Sequence, residues 1–158
     1  MAFSVAPDLI DAIVAAAQDA MPNVVVSDGF ATTSDPGAVL MVGVEDPFSD
    51  TDEPAVDSEA DFATTGRDGI RQESGEIVCA AYAWTGDPDD QKTPRVAVYD
   101  VADEVEALCR IQGGTDPAFG VERALWTKCG TRGQLRQLAG ESGRAALLIF
   151  RIYYEGRP

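Results

Sequence analysis

Carboxylates are the side chains best placed to do chemistry in this 158-residue sequence, because histidine is absent and the three cysteines lie far apart. Without an imidazole there is no Ser-His-Asp or Cys-His nucleophile, and the commonest metal ligand is missing as well. Cys79, Cys109 and Cys129 form no CxxC pair and are odd in number, which indicates neither a disulfide framework nor a zinc cluster. They read as small buried hydrophobes. Acid chemistry remains. Eight carboxylates crowd one stretch: Glu45, Asp46, Asp50, Asp52, Glu53, Asp57, Glu59 and Asp61. Asp50-Thr51-Asp52-Glu53 opens like a calcium-binding loop, then fails at Pro54, Ala55 and Asp61, where such a loop needs an oxygen ligand, a glycine and a bidentate glutamate. Paired carboxylates can hydrolyse a glycoside, yet among 27 acids chance pairs are certain and nothing marks one. Gly113-Gly114-Thr115-Asp116 sits at a helix end with no lysine after it, so it is no phosphate loop. No catalytic, cofactor-binding or metal-ligating residue is singled out, and the expectation is a protein that is not an enzyme. A small acidic metal-binding domain or enzyme is the reading retained from another functional class.

Charge is the next constraint. The chain carries 27 acidic and 12 basic residues, a net charge of −15, and no Lys or Arg precedes Arg67. The negative potential therefore belongs almost wholly to the first part of the chain. Nucleic-acid binders neutralise phosphates with clustered Lys and Arg, so a protein that grips DNA is disfavoured. A surface that DNA passes without sticking is compatible, since like charges repel. Two lysines stand against ten arginines. That profile also suits a high-GC genome or a salt-adapted host. The longest apolar run, Ala145 to Phe150, is far too short to span a bilayer. With no basic residue near the start, no secretory signal is expected either. The expectation is one soluble domain over residues 1–158, made or assembled inside a cell.

The elements that would hold these residues can be read from periodicity. Leu9, Ile10, Ile13, Val14 and Ala17 recur at helical spacing after Pro7, and Pro22 closes the segment. Val24 to Val26 and Val39 to Val44 read as short strands, followed by an acidic loop over 45–61 that self-repulsion keeps extended. Ala60 to Thr65 and Ile77 to Trp84 read as strands joined by a polar β-arm, with its loop at 66–76. The second of them is apolar on both faces, which suits the middle of a sheet or a subunit interface. Thr93-Pro94 starts a second helix, with Thr93 as its cap, running through Val98, Val101, Val105 and Cys109 to Gly113-Gly114. Val121 to Lys128, Gln134 to Leu138 and Arg144 to Glu155 complete the strands. In the last, Leu148, Phe150, Ile152 and Tyr154 make an apolar face, while Leu147, Ile149, Arg151, Tyr153 and Glu155 make a mixed one. The plan is α+β, a mostly antiparallel sheet with two helices packed on one face. Trp84, Trp126, Tyr82, Tyr99, Tyr153 and Tyr154 are expected to pack in core or interface, because no basic groove accompanies them for base stacking.

Several segments resemble a known family. Val24-Val25-Val26-Ser27-Asp28-Gly29-Phe30, Val39 to Pro47, and Glu76 to Asp87, where a strand ends in an aromatic, a glycine and an acid, look like parts of a head–tail joining protein. With the second helix, Leu125-Trp126 and the strand from Ala145 to Glu155, the layout is similar to the tail terminator family of long-tailed bacterial or archaeal viruses. The resemblance implies a homo-oligomeric ring, commonly a hexamer, at the head-proximal end of the tail tube. Such a ring stops tube polymerisation, meets the tube protein and the head-closure protein, and lets genomic DNA pass through its bore without specific binding. It would reside in the virion, assembled in the host cytoplasm, with no cofactor and no membrane. On that reading Asp50, Asp52, Glu53, Asp57, Glu59 and Asp61 line the channel or a partner surface, and Arg67, Arg71, Arg123, Arg132 and Arg136 meet a neighbouring subunit. Another neck component, such as a head-closure or minor tail protein, is the closest alternative.

Overall fold

The run apolar on both faces and the long closing strand pair with each other along nearly their whole length. In the computed structural model, which describes residues 3–32, 37–46, 49, 53–62 and 70–158, these are β4 (Arg71–Thr85) and β7 (Gly143–Gly156). Around them in chain order stand α1 (Ala6–Ala20), β1 (Val25–Asp28), β2 (Gly37–Val42), β3 (Val56–Phe62), α2 (Lys92–Ile111), β5 (Ala124–Cys129) and β6 (Gln134–Gly140). One outer edge of β4 takes β3 beside its first half and β2 beside its second. The outer edge of β7 likewise takes β6 beside its first half and β5 beside its last residues. All these pairs are antiparallel, but β1 runs parallel to β2.

The strand alternation fixes two faces. Ile77, Cys79 and Ala81 of β4 lie opposite Ile152, Phe150 and Leu148 of β7, and all six are buried. Both helices cover this side: Leu9, Ile13 and Ala17 of α1 and Val98, Val101, Val105 and Cys109 of α2 belong to the same core. The fold is therefore α+β with two helices on one face, as expected. The other face carries no helix among the described residues. Val78, Ala80, Leu147 and Ile149 are nonetheless buried there, with Val44 packed against them. Gly43 makes the bend that turns Val44 in; its φ of 71° favours glycine, and Gly43 and Val44 both donate to the Val78 carbonyl.

Four expectations need correction. The acidic tract is not a loop throughout, because β3 begins at Val56 and pairs with β4 in register from Val56↔Ile77 to Phe62↔Arg71. A strand tolerates these acids by placing Asp57, Glu59 and Asp61 together on one side, while Val56, Ser58, Ala60 and Phe62 take the other. The polar arm shrinks accordingly, since Arg71 to Glu76 are already strand. Asp90, not Thr93, caps α2: its carboxylate Oδ1 accepts from the Thr93 amide at 3.0 Å, and the helix starts at Lys92. That hydrogen bonding, from the Thr93 side chain and backbone, holds the Asp90 carboxyl below the usual carboxylate range. Lastly, of the cysteines, Cys79 and Cys109 are buried, whereas Cys129 is half-buried; all three are free thiols.

A buried carboxylate and an acidic–aromatic sheet face

Among the described residues Glu73 is the most deeply enclosed acid, at 1% exposure. It sits on the helix-covered side of β4, where α1 begins. Its carboxylate accepts from the Val5 amide (2.9 Å), from the Tyr154 hydroxyl (2.8 Å) and from the Ser4 hydroxyl. Ser4 Oγ in turn accepts from the Ala6 amide at 3.0 Å. The Val5 amide at the start of α1 is thus held by a strand far away in sequence, the Ala6 amide by the Ser4 hydroxyl that the same carboxylate engages, and the positive end of the helix dipole faces the negative charge. Burial and the neighbouring Glu73 carboxylate push the Tyr154 phenol up to about 12. Nothing in sequence spacing marks Glu73; the cue available was an acid within a run that the pairing with β7 makes two-faced.

The helix-free face divides into two halves. Its first half aligns Asp57, Glu76, Tyr153 and Lys128 across β3, β4, β7 and β5, and beside them Glu59, Ser74, Glu155 and Trp126. All of these except Lys128 line an open depression of about 330 Å³. Trp126 Nε1 donates to Glu155 at 2.9 Å. Arg151 donates to Glu76 at 3.0 Å and to Glu53 at 2.6 Å, so one cation is shared by two acids and the trio keeps a net negative charge. The second half is apolar and aromatic, a depression of about 440 Å³ walled by Tyr82, Trp84, Leu138 and Ala145. Of the expected packing aromatics only Tyr154 is in the core; Tyr82, Trp84 and Trp126 are half-buried on this free face, and Tyr99 and Tyr153 are exposed.

The candidate channel acids separate. Asp57, Glu59 and Asp61 are exposed on one side of β3, while Glu53 is engaged by Arg151. Asp50 and Asp52 lie outside the described residues, as does Arg67. The remaining arginines do not form one patch. Arg71 lies over the Phe3 ring, 4.9 Å from its centroid. Arg123 is exposed just before β5, and Arg132 and Arg136 are exposed before and on β6. Among the described residues no group of three His, Cys, Asp or Glu side chains could hold a metal ion, and no helix is long and apolar enough to cross a membrane.

No protein-family model matches the chain, and no curated protein matches it in sequence. The fold defines an α+β protein with one face of its sheet packed by helices and, among the described residues, no helix on the other.

Proposed function

We propose that this chain is a structural virion protein, a tail terminator whose ring caps the head-proximal end of the tail tube and joins it to the head connector. The observation that carries the reading is the asymmetry of the sheet. Both helices pack on one side, and the helix-free side carries an acid-rich depression and an aromatic one on either side of the buried cluster under Val44. A ring that turns its open face to the bore presents Asp57, Glu59 and Asp61 to passing DNA, which like charge keeps from sticking. The aromatic half supplies the apolar contact area that an assembly surface uses. The resemblance in segment order from Val24 to Glu155 supplies the family.

The test is native mass spectrometry of the purified chain at low and near-molar salt, followed by incubation with purified tail tubes and electron microscopy. A closed ring that binds one end of the tubes and stops their growth is expected. Tubes that keep growing with bare ends in the presence of the chain overturn the terminator. Binding to portal-bearing heads instead of tubes assigns the chain to another neck position.

A further inference from the structure

Two edge strands, each seven residues long, are left with one partner apiece: β3 pairs only with β4, and β6 only with β7, among the described residues. Asp57 to Phe62 and Arg136 to Gly140 are exposed throughout. An exposed edge is a template for another strand, and proteins usually cover or blunt it. Here the two edges carry opposite charge. From Glu53 to Phe62 there are four acids and no base, whereas from Gly130 to Gly140 there are Arg132 and Arg136 and no acid. Asp57, Glu59, Asp61 and Arg136 all fall on the helix-free side. Exposed apolar side chains accompany both edges, Phe62 at 69% and Leu138 at 39%.

We propose that β3 of one copy pairs with β6 of the next, so that the sheet continues from subunit to subunit. The strand order β3-β4-β7-β6 alternates in direction. A second copy added in the same orientation therefore brings its β3 antiparallel to β6, the polarity found throughout these strands. Acids and Arg136 then face each other across the seam on one side of the sheet, as cross-strand pairs do. Two β3 edges meeting each other would oppose acid to acid, which disfavours the symmetric dimer. The edges sit on opposite flanks of the sheet and at opposite ends: Glu59 pairs with Ser74, while Gln137 pairs with Ala146, which lies opposite Ala83. Nine residues along β4 correspond to about 30 Å, so successive copies are staggered along the strands, as closed arrangements of strands are. The contact is heterologous and makes a ring where the rotation closes. This seam deepens the ring reading and rests on it only for closure.

The test uses two charge-reversed full-length chains and sedimentation velocity. One carries Asp57→Lys, Glu59→Lys and Asp61→Lys; the other carries Arg132→Glu and Arg136→Glu. The wild type is expected to assemble, and each variant alone to sediment as a folded monomer of about 16.7 kDa. Mixed in equal amounts, the variants offer complementary edges at every seam and are expected to restore the assembly. Circular dichroism checks that each is folded; if the triple variant is not, Glu59→Lys alone against Arg136→Glu repeats the exchange. Variants that assemble alone like the wild type, or a mixture that stays monomeric, overturn the seam while a wild-type ring still stands. A wild type monomeric at every concentration overturns ring and seam together.

Discussion

Replacing Glu73 tests whether a single buried carboxylate ties α1 to the sheet. In Glu73→Ala the Val5 amide and the Tyr154 hydroxyl lose their acceptor inside the protein, while the Ser4 hydroxyl, only half-buried, can turn to water. A buried donor left unpaired costs about 1–3 kcal/mol, so two give about 2–6 kcal/mol, before the void left by the side chain is added. Against a net stability of about 5–15 kcal/mol, such a loss leaves a fold that is marginal. Glu73→Gln keeps the shape and one acceptor oxygen but turns an amide N–H₂ toward remaining donors, and is expected to cost less, about 1–3 kcal/mol. Urea unfolding followed by far-UV circular dichroism reads both as a lower midpoint at unchanged slope. Tyr154→Phe supplies the control: about 1.5–3 kcal/mol in the natural background, where it removes a hydrogen bond to a carboxylate, and near zero in Glu73→Ala, where that bond is already gone. Amide exchange at Val5, Ala6 and Leu9 should quicken in step. A cost below about 1 kcal/mol for Glu73→Ala, or strict additivity with Tyr154→Phe, would falsify the anchoring role.

Other perturbations address the packing directly. Phe150→Ala removes a buried ring from the helix-covered face and should cost about 3–5 kcal/mol; a urea-unfolding change below about 1 kcal/mol would show that this face is not core. Gly113→Ala should prevent soluble expression or lower the thermal midpoint steeply, because a Cβ there would overlap Thr127 Oγ1 and approach the Cys109 carbonyl at 2.5 Å; a wild-type melting curve counts against the close approach. Alkaline stability is a third measure. Burial raises the Cys79 thiol, pushes the Cys109 thiol up to about 12, and Tyr154 is raised to about 12. All three bind their protons more tightly folded than unfolded, so the stabilisation is complete below their unfolded pKa values and is lost as pH rises toward their folded ones. The urea midpoint should therefore fall from about pH 9 toward about pH 12, and Tyr154→Phe should flatten the upper part of that fall; a midpoint constant across this range contradicts the assignment.

What the sequence made legible follows from how local its cause is. The stripe Leu9, Ile13, Ala17 and the alternation of Leu148, Phe150, Ile152 and Tyr154 depend on period alone, and both appear where period puts them. Asp57, Glu59 and Asp61 misled because repulsion among acids argues for a loop, while the strand is decided by the partner β4, a non-local pairing that charge counting does not see. The cap of α2 was misplaced by three residues, since Asp90 and Thr93 are both good capping types and only the backbone geometry selects between them. Glu73 was invisible for the same reason as β3: its three donors come from residues 68 to 81 positions away.

These two non-local features are physically joined, and that joins stability to assembly. Gly75 pairs with Ser58 of β3 two residues along β4 from Glu73, which itself pairs with Ala60, and a Cβ on Gly75 would meet the Asp57 carbonyl at 2.6 Å, the Tyr154 hydroxyl at 2.8 Å and Ser58 Cβ at 2.9 Å. The close approach of β3 to β4 thus needs a residue without a side chain beside the hydroxyl that donates to Glu73. Gly75→Ala should push β3 outward and disturb the Tyr154–Glu73 bond at once, lowering the urea midpoint and weakening self-association together. Arg136→Glu touches only the far edge of the sheet and should weaken self-association at an unchanged midpoint. Should Gly75→Ala unfold more easily yet assemble with wild-type affinity, β3 is not the strand that meets the next copy, and the contact lies elsewhere on the open face.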